Sequence, residues 1–503
     1  MQRLEDLIQR HPDTANAIGA PGRDWMTYAD LKALTHGVRA VLRGAGIGAS
    51  DRVAIVLPNG PEMAAAFITV AQSATTAPLN PAYKEDEFAF YLEDLKARAI
   101  IVEAGYTGPA RVAAERFNMT VIELTPTQPA GNFTLSTDVT GSAADTNPTA
   151  DDVALILHTS GTTSRPKIVP LLQSNVAASA ENIRASLALT SDDCCLNVMP
   201  LFHIHGLVAA VSASLAAGAS ISCAPGFDAL KFYGWLETVD PSWYTAVPTM
   251  HQAILARAPR NADIIKNARL RFLRSSSSSL PGPVMTQLAE TFGAPVVEAY
   301  GMTEAAHQMC CNPIEPGRQK PGAVGLPAGP EVGIAHEIEN RLIDGVGEIS
   351  ISGPNVTPGY EANPEANEKN FFEADGKRWF RTGDQGMFDA DGYLSLTGRL
   401  KEIINRGGEK ISPLEVDGIL SDHPAVGQCV TFAVPHAKLG EDVAAAVVLK
   451  EGQSATDREI RDFASERLAA FKVPRKILIL DEIPKGATGK LQRIGLADKL
   501  GLS

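Results

Sequence analysis

The feature that most constrains this chain is an alternation that runs through most of its length, in which short apolar runs of strand character are separated by stretches of helical spacing. Residues 52–57, 99–102, 120–124 and 294–299 are runs of the first kind, and residues 61–71 and 280–291 show the second. Parallel strands need a long crossover between them, and an amphipathic helix is the usual one. The pattern therefore predicts an α/β architecture with largely parallel sheets. A chain of 503 residues also exceeds one compact core, so roughly two to four structural units are expected.

The alternation breaks in three places. Residues 126–151 are rich in Thr, Ser, Gly, Pro and Asp and read as a surface connector. Residues 338–396 change to short strands separated by Gly-containing turns, which predicts a small β-rich subdomain. After Arg399 the order becomes helix, strand, strand, helix, strand and a Gly-containing tail over 412–503, a separate α+β unit. The most apolar long stretch, 206–224, is Ala-rich and carries Ser212, Ser214, Gly218, Ser220 and Ser222. It is expected to be a buried helix running into a strand, because a membrane span would be longer and less polar.

Composition narrows the function. The net charge of −13 repels nucleic acid and anionic membrane surfaces, so neither is an expected partner. The six cysteines include no C-x-x-C pair and two adjacent pairs. That pattern is neither a zinc nor a disulfide framework, and it predicts a reducing, cytoplasmic setting. No signal peptide is expected from MQRLEDLIQRHPD, nor a peroxisomal address from KLGLS.

The segment richest in chemistry is Thr159-Ser160-Gly161-Thr162-Thr163-Ser164-Arg165-Pro166-Lys167, which follows the apolar run 153–157. Small hydroxylated residues and glycine let backbone N–H groups and hydroxyls approach phosphate oxygens, and Lys167 adds a compact positive charge. A Walker A loop would place Gly before the lysine and Ser or Thr after it; here Pro166 and Ile168 stand there.

This loop resembles the phosphate-binding signature of the adenylate-forming superfamily, which includes acyl-CoA synthetases, coumarate–CoA ligases, luciferases and peptide-synthetase adenylation domains. The usual glycine after the lysine is replaced by Ile168. Four further stretches resemble the family's motifs in the family's order. Pro200-Leu201-Phe202-His203-Ile204-His205-Gly206 would hold the aromatic gate, with His203 the candidate. Glu298-Ala299-Tyr300-Gly301-Met302-Thr303-Glu304 would bind adenine and phosphate: Tyr300 stacks near the base, Thr303 contacts the α-phosphate, and Glu304 helps hold Mg²⁺. Trp379-Phe380-Arg381-Thr382-Gly383-Asp384 and Arg399 would hold the ribose. Pro484-Lys485-Gly486-Ala487-Thr488-Gly489-Lys490 would carry the mobile catalytic lysine, Lys490.

The resemblance implies an adenylation domain over 1–398 and a small mobile domain over 399–503, with a hinge near Lys401. Gly407, Gly408 and Lys410 would line the pantetheine tunnel. The implied chemistry adenylates a carboxylate with ATP and Mg²⁺ and then transfers the acyl group to a thiol. With no carrier domain in view, that thiol is expected to be coenzyme A, and the enzyme a monomer or homodimer.

Within the superfamily the chain resembles the oxalate–CoA ligases of plants and fungi, through residues 157–167, 243–249, 271–277 and 405–417. Oxalate would need polar partners for its second carboxylate, since burying that charge alone is costly. The family's acyl pocket falls where this chain has the serine run 275–279 and His307, so Ser276, Ser277, His307 and His203 are the candidate acid contacts. Three alternatives remain open: a ligase for a malonate-like or coumarate-like acid, a nucleotide-binding pseudoenzyme, and a Walker-type ATPase releasing ADP.

Overall fold

The computed structural model describes residues 2–159, 166–484 and 491–502. Two largely parallel sheets dominate the large domain. In the first, Arg52–Val56 lies between Thr75–Pro78 and Ala99–Glu103, flanked by Val153–Thr159 and Thr120–Pro126, all parallel. Antiparallel edge strands Lys167–Leu172 and Phe133–Ser136 complete its seven strands. In the second, Asn16–Gly19, Ser220–Cys223, Cys194–Asn197, Trp243–Ala246, Phe272–Ser275 and Val296–Met302 run parallel, and antiparallel edges bring the count to nine.

The side chains explain how these sheets stack. Val53 and Ile55 point into one large core, and Ala54 and Val56 into another, as period-two alternation requires. The second sheet divides likewise, with Trp243 and Phe272 on the shared face and Tyr244 and Leu273 on the outer one. The shared core is filled by the helices Tyr28–Gly44, Pro61–Ala71 and Gln173–Ser186 and by the apolar segment from His205 to Ala216. Strands covered on both faces are continuously apolar, which is why their runs stood out in the sequence. Phe67, Ile68 and Val70 on the helix Pro61–Ala71 are fully buried, each contributing about 1.5–3 kcal/mol.

The most apolar stretch forms a buried helix and then a strand, but it opens as a π-helix, His205–Ser212, before the α-helix Ala213–Ala216. Single-turn π segments often mark functional sites. At its start Gly206 lies against the Pro200 carbonyl, where an added Cβ would sit 2.4 Å from the oxygen.

The expected surface connector holds for residues 137–151, which form no helix or strand and are mostly exposed, but the structure corrects its first part. Its residues Phe133–Ser136 pair with Thr120–Pro126, and Phe133 and Ala130 are buried. The edge of a sheet accepts a strand wherever one apolar face can be covered, and a segment rich in Ser, Thr and Gly masks that in sequence.

The β-rich part is an antiparallel five-stranded sheet built from Glu331–Ala335, Gly347–Ser352, Phe371–Ala374, Lys377–Phe388 and Leu394–Arg399. It begins a few residues before 338 and includes the helix Pro364–Asn370, which its polar sequence hid. A second five-stranded sheet lies beyond residue 403 and carries the expected helices Pro413–Ser421 and Asp457–Ser465. Its hairpin Ile404–Arg406 and Glu409–Ile411 turns through Gly407 and Gly408, at φ +60° and +97°. Two positive φ values are what a two-residue hairpin turn demands. No helix among the described residues is long and apolar enough to cross a membrane.

One buried ion pair braces the β-rich sheet. Arg381 Nη1 lies 2.7 Å from Glu348 Oε2, both side chains being 8% exposed, and Glu348 also accepts from the Gly383 N–H at 3.0 Å. Arg381→Met would leave Glu348 as an uncompensated buried charge, and a loss of about 3–5 kcal/mol is expected by chemical denaturation. A loss below about 1 kcal/mol would show that the pair bears no weight.

Candidate active site

The predicted nucleotide residues gather on the strand Val296–Met302 and the turn after it. Glu298, Ala299 and Tyr300 lie on this strand, and a 3₁₀ turn, Thr303–Ala305, follows directly. Gly301 is required by close approach, since a Cβ there would lie 1.9 Å from the His307 carbonyl oxygen. That contact folds the strand back onto His307–Cys311.

Glu304 is buried, and burial pushes its carboxyl above the ordinary range. The Tyr360 hydroxyl donates to it at 2.7 Å, and Lys167 Nζ sits 4.2 Å above the Tyr360 ring. Burial lowers the Lys167 ammonium, and Glu304 opposes that shift. Tyr360 thus links Lys167, the lysine of the predicted phosphate loop, to Glu304. Sequence reading missed it, because a Gly-Tyr pair in a loop carries no chemical pattern of its own.

Thr159 and Lys167 are register partners at the ends of adjacent antiparallel strands. Between them, Ser160, Gly161, Thr162 and Thr163 lie outside the described residues, as does Lys490. Ile168, which stands where the family has glycine, is buried with the outer core of the first sheet. Its position on the strand Lys167–Leu172 gives the branched side chain an apolar role.

On the other side, Asp384 and Arg399 pair across adjacent strands of the β-rich sheet, with Asp384 Oδ1 3.3 Å from Arg399 Nε. Tyr300 donates its hydroxyl to Asp384 Oδ2 at 2.5 Å. Burial raises the Asp384 carboxyl, and Arg399 and Tyr300 work against that rise. Lys401 follows this strand and is close enough to Lys167 to depress its ammonium. Lys410 Nζ is 2.7 Å from Glu337 Oε2 of the large domain.

The acid candidates divide. Ser276 is buried and donates to the Ala299 carbonyl at 2.8 Å, tying the serine run to the Tyr300 strand. Ser277 is exposed, has φ +71°, and lies 3.0 Å from His205 Nδ1. His307 is buried with its ring centroid 5.1 Å from that of His205. His203 is exposed, its ring against Phe202. The histidine joined to the serine run is therefore His205, backed by Thr245 and Arg274. Arg274 escaped sequence reading because an arginine inside an apolar strand resembles a surface residue until its neighbours are known.

Residues 4–361 match the model of the AMP-binding enzyme family, and residues 415–490 match that of the AMP-binding enzyme C-terminal domain. The chain belongs to this family. An oxalate–CoA ligase of Arabidopsis thaliana is 45% identical over 500 residues, covering 97% of this chain and 96% of the relative. One of Saccharomyces cerevisiae is 42% identical, covering 90% and 87%. Among solved structures, ATP-bound MatB from Rhodopseudomonas palustris superposes with a TM-score of 0.87 at 27% identity, covering 99% of this chain and 98% of that one.

Glu298 has a consequence for pH. Burial raises its carboxyl to about 8 from an ordinary 4.5, and Oε1 accepts from the Leu280 N–H at 2.9 Å. A carboxyl raised on folding contributes its full stability below the unfolded value and loses it as pH climbs towards the folded value. Glu298→Gln keeps the acceptor and cannot ionise. Its Tm relative to the parent is expected to rise steadily between about pH 5 and about pH 9. A constant difference across that range, measured by calorimetry, would mean that Glu298 ionises normally.

Proposed function

We propose that the chain is an acid–CoA ligase that converts oxalate, ATP and coenzyme A to oxalyl-CoA, AMP and pyrophosphate. A carboxylate is a poor acyl donor because oxide is a poor leaving group. Attack of one carboxylate oxygen on the α-phosphorus of ATP forms acyl-AMP and expels pyrophosphate. The thiolate of coenzyme A then attacks the acyl carbon, and AMP departs with the bonding pair. No enzyme nucleophile is needed, so the protein contributes positioning and electrostatic stabilisation.

In this reading the loop from Thr159 to Lys167 cradles the phosphates, and Thr303 contacts the α-phosphate. Glu298, Ala299 and Tyr300 surround adenine, and Asp384 and Arg399 hold the ribose. Lys490 supplies positive charge between carboxylate and phosphate, where a water-excluded ammonium is most effective. Glu304 would hold Mg²⁺. Carboxylate oxygens such as those of Glu304 suit a hard cation of this kind. When bound, that ion neutralises phosphate charge. Tyr360 orients the Glu304 carboxylate that would receive it.

Two half-reactions with different needs favour two arrangements of the small domain. We assign 1–398 to adenylation and 399–503 to a unit turning near Lys401. It presents Lys490 first, then Gly407, Gly408 and Lys410 to the pantetheine arm. Six free cysteines favour a cytoplasmic setting.

What supports the choice of acid is the polar cluster of Ser277, His205 and His307, read here as the acyl pocket. A fatty acid or coumarate would call for apolar lining there. A screen of acids for AMP release dependent on ATP, Mg²⁺ and coenzyme A is expected to rank oxalate first, with pyrophosphate as co-product. Good turnover of a monocarboxylate with none of oxalate would overturn the acid, and release of ADP would overturn the reaction.

Lys490→Ala tests the mechanism separately. Acid-dependent pyrophosphate exchange is expected to fall by at least about a hundredfold, the scale of losing one transition-state contact. Transfer from preformed acyl-AMP to coenzyme A should be much less affected. Unimpaired exchange would remove Lys490 from the adenylation step and readmit a binding-only protein.

A further inference from the structure

Arg274 is the most deeply buried cation whose environment the nucleotide chemistry leaves unexplained. It lies on the strand Phe272–Ser275 and is fully buried. Among the described residues it makes no ion pair, and its Nε has no hydrogen-bond partner. Its contacts are Gln308 Oε1, 3.2 Å from Nη2, and His205 Nε2, 3.2 Å from Nη1. Gln308 is itself held, donating to the Ser186 hydroxyl at 2.8 Å and the Ala328 carbonyl at 3.0 Å. Parallel register sets Thr245 beside Arg274 on the neighbouring strand, and Thr245 Oγ1 is 2.6 Å from the same His205 nitrogen.

A guanidinium can only donate. His205 Nε2 must therefore present its lone pair to Arg274, and the ring proton is left on Nδ1. The second hydrogen bond a histidine makes sets its tautomer in this way. The Nδ1–H then donates to Ser277 Oγ, 3.0 Å away. A serine that accepts through its oxygen keeps its own hydrogen for another acceptor. Ser277 is exposed and held at φ +71°, a left-handed conformation that non-glycine residues rarely adopt. Strain of that kind persists where surrounding structure dictates it and is concentrated at ligand sites.

We infer that Arg274 is a positioning residue for the acid substrate: acting through His205, it turns the Ser277 hydroxyl hydrogen towards the bound acid. The inference rests on the acid-ligase reading above and adds to it a source of polarity for the pocket. Keeping a cation buried without an acidic neighbour is costly. An anionic acid bound nearby would recover part of that cost, which an apolar acid would not. Burial lowers the guanidinium only to about 10, so the charge persists at neutral pH.

The tautomer is tested first in the unaltered protein. Nitrogen-15 spectra of the histidine-labelled full chain, with His205 assigned by the signals lost in His205→Gln, should show Nδ1 protonated and Nε2 bare at neutral pH. A proton on Nε2 overturns the relay. Steady-state kinetics then compare Arg274→Gln, Ser277→Ala and the double variant on oxalate. Each single change is expected to raise the KM for the acid about tenfold, the scale of a hydrogen bond to a charged group, with the KM for ATP unchanged. The double variant should be no worse than the poorer single, because both changes cut the same chain. Additive losses, or an unchanged acid KM in Arg274→Gln, refute the inference. Should Arg274→Gln fail to fold, Arg274→Met, which cannot donate to His205, replaces it in the same cycle and is judged by the same non-additivity. Absence of oxalate turnover by the unaltered enzyme refutes only the choice of acid, and the cycle is then read on whichever acid that enzyme uses best.

Discussion

The whole site depends on a layer of helices shared by two parallel sheets. Pro61–Ala71, Gln173–Ser186 and the segment from His205 to Ala216 are buried between the sheets. Parallel sheets place their ligand-bearing loops at the carboxyl ends of the strands. Thr159 and Lys167, at the ends of the proposed phosphate loop, belong to one sheet, and Glu298, Tyr300 and Glu304 follow from the other. The shared core holds the two sheets in fixed relation. Close packing admits little adjustment of such a layer without loss of stability, so the loops can be polar and glycine-rich while the frame is not.

The electrostatics of the site follow from how deeply that frame buries its charges. Glu298, Glu304 and Asp384 are all pushed upward by burial. Tyr360 donates its hydroxyl to Glu304, and Tyr300 donates its own to Asp384. Carboxyl groups buried this way are costly to ionise, and in the proposed function that cost is offset when a nucleotide and its cation arrive. Arg274 repeats the arrangement with opposite sign, fully buried behind His205.

Much of this was legible in the sequence because it depends on local rules. Continuous apolar runs marked the doubly covered strands, and the change of pattern after Arg399 marked the second five-stranded sheet. The strand Phe133–Ser136 was hidden because its pairing partner lies in another run and its two apolar residues sit inside a stretch dominated by Ser, Thr, Gly, Pro and Asp. The π-helical start at His205 was hidden for a related reason, as its geometry answers to the Pro200 carbonyl packed against Gly206.

The order of the nucleotide motifs, the alternation of strands and helices and the change of pattern after Arg399 are properties of the chain alone, fixed by residue type and spacing. Tertiary structure alone decided which polar residues meet. It set His205, with His203 exposed beside it, against the serine run, and it put Arg274 behind that histidine and Tyr360 between Lys167 and Glu304. These partners are separated by 56 to 193 residues in sequence, as from Glu304 to Tyr360 and from Lys167 to Tyr360. Contacts over such separations arise from the register of strands and the stacking of layers, and neither is encoded in any one segment.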